Sequence, residues 1–396
     1  MRILVGWDDP VEADLIALYL NVSSTSATVT TNNAAFLAEA ERDSGWDGVL
    51  LPTSTPDAET AWQTFCRVQQ LLPDVAIVGA CRTDDVFRVA RFMRNGMRTF
   101  LIRDPAGDFM FLLQVVLESS VEAVRAERER FVSEKLREEI EAVRKLQQSI
   151  IPRDLPRPAG YGMAARYESS QIRVFGGRPV TLAGGDYYDV FMLNDNTTVL
   201  LLGDASGHGM RACMSIMTMH TLVGMIRNNE FRDTAAFVSD VNRRLCEQAI
   251  VQDEGGFITL LYAVLRTDTH ELEWTSAGHP VPLLHRLATN EVEPLGSIDD
   301  GGLPLGIIPD AEYDVHKAAL PARSRLLIYT DGLEDAFPCG DHDHASFGRE
   351  GIERSLKRAD GLPLDEALNA LFADSAAFTA GAGRHDDTSV VLAERR

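Results

Sequence analysis

Residues 1 to about 110 alternate short apolar runs with segments of helical spacing. Unbroken apolar runs fall at 3–5, 49–51, 75–78 and 99–102. Between them, Ile16, Leu18 and Leu20 mark one helical segment and residues 61–72 another. Short apolar strands separated by helices imply a parallel sheet buried on both faces, because each parallel crossover lays a helix on the sheet. The expected unit is a doubly wound α/β domain over residues 1–107.

The pattern changes at residue 108. From Glu118 to Ile150 there are eight acidic and seven basic residues, with no glycine and no proline. Apolar residues recur three or four apart from Leu117 through Val121 and Val124, and again through Val132, Leu136, Ile140, Val143, Leu146 and Ile150. This spacing predicts one long amphipathic helix. A narrow apolar stripe flanked by charge predicts a coiled coil pairing two copies of the chain, with a solvated spacer as the alternative. Val121, Val132 and Val143 lie eleven apart, which a stutter in the heptad accommodates. Pro152, Pro156 and Pro158 close this linker, which spans 108–152.

Residues 153–396 read differently. Apolar β runs fall at 198–202, 257–265, 271–276, 326–329 and 389–393, and helical segments near 208–227, 234–250, 348–358 and 364–378. Strands in runs and helices in runs predict a layered α+β domain.

Composition narrows the class. The chain has 396 residues, 45% apolar and 24% charged, which suits two globular domains. Lys plus Arg number 38 against 59 Asp plus Glu, a net charge of −21. That balance argues against a general nucleic-acid or anionic-membrane binder and suits divalent cations and a protein partner. Cys66, Cys81, Cys213, Cys246 and Cys339 are odd in number, widely spaced and free of any CxxC, as expected of reduced, buried thiols. No apolar run reaches the roughly 18 residues a bilayer requires. The first six residues run straight into Asp8 and Asp9 rather than into a leader sequence. The expectation is a soluble cytoplasmic protein.

Four aspartates of the last domain share a local design. Asp186 follows Gly184-Gly185, Asp204 follows Gly203 at the end of an apolar run, Asp331 precedes Gly332 at the end of another, and Asp386-Asp387 precede a third. Each alone reads as a turn. Together, carboxylates at buried strand ends would repel one another unless cations lay between them. Oxygen-only donors suit Mg2+ or Mn2+, and two such ions sharing a carboxylate can activate a water for in-line attack on phosphorus.

These segments, with Ser276-Ala277-Gly278-His279 and Gly302-Leu303-Pro304-Leu305-Gly306, resemble in order the SpoIIE/RsbU branch of the PPM (PP2C-like) metal-dependent serine/threonine phosphatases. Leu146-Gln147-Gln148-Ser149-Ile150-Ile151-Pro152 also looks like the helix that enters this domain in the family. The resemblance implies an α-β-β-α sandwich with two Mn2+ or Mg2+ ions in a cleft at one edge. It implies that Asp204 bridges both ions with the Ala205 carbonyl assisting, that Asp331 and Asp386 hold one ion, and that Asp186 completes the other site. A metal-bridging hydroxide would be the nucleophile, with Asp204 and Asp186 as the catalytic carboxylates. Asp189, Gly207, His208, Gly209, Gly332 and Asp387 are expected near the site rather than as ligands. His279 is expected to shape its loop. No phosphate-binding arginine is singled out among Arg166, Arg173, Arg178 and Arg211. Asp341-His342-Asp343-His344 reads as a solvated loop, and Met210, Met214 and Met217 as core. The implied substrate is a phosphorylated STAS-type anti-sigma-factor antagonist in a partner switch.

The first domain resembles a response-regulator receiver, a flavodoxin-like fold. Trp7 and Asp8 stand where that family has its acidic pair, Gly79 at its hydroxyl position and Arg103 at its lysine. Pro52 stands at the phospho-acceptor position, a register that Thr55-Pro56 supports. Proline has no carboxylate, so no phosphorylation is expected there and the domain reads as a pseudo-receiver. Asp47 and Asp57 are poor substitutes, one before the strand and one beyond the turn. The rival functions are a non-catalytic phosphoprotein scaffold, a phosphorylation-controlled regulator with phosphatase output, and a hydrolase of small phosphoesters.

Overall fold

In the computed structural model of the chain, the described residues are 1–22, 25–172, 180–181, 184–207, 209–248, 256–338, 346–380 and 385–396. They form two compact units, Met1–Leu136 and Arg137–Arg396.

The first unit is built on five parallel strands: β1 (Arg2–Gly6), β2 (Ser26–Thr30), β3 (Gly48–Pro52), β4 (Ala76–Arg82) and β5 (Thr99–Arg103). Their order is β2-β1-β3-β4-β5. Helices α1 (Pro10–Asn21) and α5 (Phe109–Ile150) pack Ile16, Leu20, Leu113 and Leu117 on one face. Helices α2 (Asn33–Arg42), α3 (Ala58–Leu71) and α4 (Val86–Arg94) pack Phe36, Phe65 and Phe92 on the other. Pro10 at the first position of α1 and Asp9 before it start that helix: Asp9 Oδ1 accepts the N–H groups of Val11 and Glu12 at 2.9 and 3.1 Å.

Helix α5 is continuous over 42 residues, but its apolar stripe does not act as one seam. Leu117 and Val121 are buried in the first unit's core and Val124 packs against it. Phe131, Val132 and Leu136 are exposed. Ile150 packs against the second unit's core. The boundary between the units falls within this helix. No helix among the described residues is long and apolar enough to cross a membrane.

The second unit contains two five-stranded antiparallel sheets. One has the order β15-β12-β11-β10-β9: β15 (His316–Ala319), β12 (Glu271–Ala277), β11 (Ile258–Arg266), β10 (Thr197–Ala205) and β9 (Asp186–Asn194). The other has the order β14-β13-β16-β17-β6: β14 (Glu291–Pro294), β13 (Leu283–Arg286), β16 (Ser324–Tyr329), β17 (Thr388–Arg395) and β6 (Tyr161–Glu168). A small ladder joins β7 (Gln171–Ile172) to β8 (Val180–Thr181). Leu200, Leu202 and Trp274 of the first sheet meet Leu326, Ile328 and Val391 of the second in the central core. Helices α6 (Met210–Ile226) and α7 (Thr234–Cys246) cover the outer face of the first sheet. Helices α8 (Gly348–Arg358) and α9 (Leu364–Phe378) cover the second. The result is the expected α-β-β-α sandwich.

One packing expectation fails. Met210 and Met214 are exposed, because the buried face of α6 runs through Cys213, Ile216, Met219 and Val223. Cys81, Cys213 and Cys246 are buried reduced thiols and Cys66 is half-buried; Cys339 lies outside the described residues.

Candidate active site

Register creates the centre of the site. Strands β9 and β10 pair antiparallel so that Asp204 is the direct partner of Asp186. Directly paired residues place their side chains on the same face of a sheet. Asp186 is only 1% exposed. Burial, then the Asp204 charge, then Asp387 raise its carboxyl well above the ordinary carboxylate range. Asp204 is raised in the same way by burial and by Asp331 and Asp386.

The second sheet delivers the remaining carboxylates. Asp331 follows the end of β16 and opens a short 3-10 turn, Asp331–Leu333, and burial raises it too. Thr330 ties the two sheets together. Its Oγ1 donates to Asp186 Oδ2 at 2.7 Å and accepts the Ser389 N–H at 2.8 Å. A Cβ on Gly332 would lie 1.9 Å from the Asp387 carbonyl oxygen, so only glycine lets these two segments close. Just after β10, Gly207 and Gly209 have φ of 82° and 86°, a region costly for other residues. His208 between them lies outside the described residues.

The adjacent aspartates differ in use. Asp387 accepts the Ser170 N–H on Oδ1 at 2.7 Å and the Gly185 N–H on Oδ2 at 2.6 Å. It therefore holds the turn that carries Asp186. Asp386 instead lies close enough to Asp204 to raise it electrostatically. Asp189, three residues beyond Asp186, projects from the opposite face of β9 and accepts the Tyr187 hydroxyl at 3.0 Å. His279 is 2% exposed, and burial pushes its imidazole down to about 3, so it is neutral at physiological pH. Its Nδ1 meets Thr259 Oγ1 at 2.9 Å, and its backbone is held by Ser276 Oγ, as expected of a residue that shapes its loop.

Two polar residues that lie in family-like segments, but were not singled out as site residues, hold the site together. Thr330 is one. Gln147, near the end of α5, is the other, and it is completely buried. Its Oε1 accepts the Gly184 N–H at 2.8 Å, and its Nε2 donates to the Asp186 carbonyl at 3.2 Å. The available signal was the resemblance of the Leu146–Pro152 segment to the helix that enters this domain, which did not single out Gln147.

Arg166 points to other work: it bonds Asn369 at 3.0 Å, pairs with Glu168 and lies over the Phe372 ring. Arg173, Arg178 and the Asp341–His344 segment lie outside the described residues. A cleft of about 1050 Å³ opens beside Asp331, lined also by His279, Glu334 and Arg349.

The donor set fits hard cations. It is all oxygen, and among the described residues no Lys or Arg forms an ion pair with Asp186, Asp204 or Asp331. No group of three or more Asp, Glu, His or Cys side chains among the described residues closes around one point. Carboxylate oxygens completed by water and phosphate oxygens suit Mg2+.

Residues 194–396, just over half of the chain, match the family model for stage II sporulation protein E (SpoIIE). The chain is 23% identical over 318 residues to the phosphoserine phosphatase RsbU of Bacillus subtilis, covering 79% of this chain and 87% of RsbU. It is 24% identical over 287 residues to protein IcfG of Synechocystis, covering 65% of this chain but only 41% of IcfG. Among solved structures, the SiaA-PP2C domain of Pseudomonas aeruginosa aligns with a TM-score of 0.53 at 17% identity, over 67% of this chain and 98% of that one. The RsbU and RsbW domains of Rv1364c from Mycobacterium tuberculosis align with a TM-score of 0.50 at 23% identity, over 62% of this chain and 63% of that one. The two structures share the sandwich fold. With the family match over its second unit, the chain belongs to the SpoIIE family of PPM (PP2C-like) serine phosphatases.

Proposed function

We propose that the chain is a metal-dependent protein serine/threonine phosphatase acting on a phosphorylated STAS-type anti-sigma-factor antagonist. One observation carries the reading: Asp186 and Asp204 are direct cross-strand partners, Asp186 raised by burial and the Asp204 charge and Asp204 by burial, Asp331 and Asp386, with no cationic side chain among the described residues to neutralise them. Such a group is stable in its ionised form only around cations. Asp204, with the Ala205 carbonyl, would bridge two Mn2+ or Mg2+ ions, Asp331 and Asp386 would hold one, and Asp186 the other. Ions bound there would lower the pKa of a water and polarise the phosphoryl oxygens for in-line displacement.

The chain's own work is positioning. Thr330 fixes the Asp186 carboxylate, and Asp387 and Gln147 fix the turn that presents it. The cleft beside Asp331 gives a phosphorylated loop room to approach. The similarity to RsbU, a named phosphoserine phosphatase, supports the substrate class.

The first unit serves in this reading as a pseudo-receiver over residues 1–107. Pro52 ends β3 without a carboxylate. Asp57 is occupied as the cap of α3, and Asp47 by the Arg2 N–H and Arg125. Asp8 is paired with Arg103 at 2.5 Å. The exposed Phe131, Val132 and Leu136 support a homodimer through the linker helix, residues 108–152, ahead of the phosphatase domain at 153–396.

Phosphate release from a purified STAS-domain antagonist phosphorylated on serine, with and without Mn2+, tests the reading. Release that requires Mn2+ is expected. Binding of the phosphoprotein without release would favour the scaffold instead.

A further inference from the structure

The first unit carries a half-open cavity of about 330 Å³ that the phosphatase chemistry does not use. It lies at the carboxyl ends of β1 and β3, between the strands where the order β2-β1-β3 changes direction. Ligands of doubly wound sheets bind in the crevice outside such a switch point. The volume is that of a small-molecule site.

The lining separates into two kinds of surface. Phe36, Pro52 and Ala61 supply apolar walls. Thr55 supplies a polar point: its Oγ1 is buried and has no hydrogen-bond partner. A buried hydroxyl left unpaired costs about 1–3 kcal/mol, so an occupant that bonds it gains that much in return. Asn33, the first residue of α2, stands at the same wall, its Oδ1 accepting the Thr64 hydroxyl at 3.0 Å.

Charge sets the class of occupant. No Lys or Arg lines the cavity, and its one ionisable group, Asp8, is already paired with Arg103 at 2.5 Å. A phosphate or nucleotide would find no charged donor there and would meet a carboxylate. We infer that this cavity binds a small, uncharged, planar molecule of nucleobase size, packed against Phe36 and Pro52 and hydrogen-bonded by Thr55. The inference does not depend on the phosphatase reading.

Isothermal titration of the full-length chain with adenine, uracil and nicotinamide, and with inorganic phosphate as the charged control, tests it. Saturable one-to-one binding of at least one heterocycle is expected, with Kd below about 1 mM. Ala61→Leu, which fills the cavity, should abolish it. Thr55→Val, which keeps the shape and removes the hydroxyl, should weaken it about tenfold. Circular dichroism should be unchanged in both variants. The assignment is overturned by no binding of any of the three heterocycles, by binding of phosphate alone, or by heterocycle binding that survives Thr55→Val undiminished.

Discussion

The Gln147 side-chain amide donates to the main-chain carbonyl of Asp186 at 3.2 Å while its oxygen accepts the Gly184 N–H. One side chain at the end of α5 thus holds both sides of the Gly184-Gly185-Asp186 turn. Gln147→Ala leaves a buried N–H and a buried carbonyl unpaired, a cost of about 1–3 kcal/mol per group. The turn would relax and Asp186 would move away from Asp204. The expected outcome is a drop in kcat of about tenfold or more with the far-ultraviolet circular dichroism unchanged. Wild-type kcat in this variant would show that the helix end does not position the site.

The paired aspartates at 386 and 387 should separate into two phenotypes. Asp387 receives two backbone N–H groups on its two oxygens, so Asp387→Asn turns an NH2 toward one of them. A loss of about 1–3 kcal/mol in stability is expected, read as a lower urea midpoint. Asp386→Asn should instead raise the Mn2+ concentration needed for half-maximal activity and shift the urea midpoint less. Equal shifts in both measurements for both variants would refute the division of roles.

Stability should respond to pH and metal together. Asp186, Asp204 and Asp331 have carboxyls raised above 3.8 in the folded chain by burial first and then by neighbouring carboxylates. Between 3.8 and those raised values the folded state binds more protons than the unfolded state. Metal-free stability therefore falls as pH rises through that window. Cations remove the repulsion and displace the protons, so the rise in Tm on adding Mn2+ should be larger at pH 8 than at pH 5.5. Thermal scans with EDTA or Mn2+ at the two pH values check this. An equal Mn2+ shift at both would count against the carboxylates as the binding groups.

The exposed middle of α5 predicts an oligomer. Phe131 and Leu136 are more than half exposed. Replacing both with glutamate keeps good helix formers and removes the apolar seam. Sedimentation velocity should show a dimer for the wild type and a monomer for Phe131→Glu/Leu136→Glu. A wild-type monomer would leave α5 a solvated spacer.

Legibility followed physical cause. Helices α8 and α9 match their sequence segments because their apolar positions face one core and their ends are marked by Gly348 and Pro363. Strand β2 escaped notice because it is an edge strand reading Ser-Ala-Thr-Val-Thr with no buried residue. The stripe of α5 looked uniform in sequence, yet its first part is buried within the first unit and its middle is exposed. The four carboxylates were legible from their glycine neighbours and strand ends. The segments holding Thr330 and Gln147 were legible by resemblance, but the two residues' roles were not, because what they bond lies far away in the chain: the Asp186 carboxylate for Thr330, the Gly184–Asp186 backbone for Gln147.

The most direct test of the central claim is Mn2+-dependent turnover of p-nitrophenyl phosphate by the full-length chain, with Asp204→Asn and Asp331→Asn measured beside it. The account predicts turnover in the wild type that disappears with EDTA and in both folded variants. Turnover that persists in either variant, or that is indifferent to metal, would contradict it.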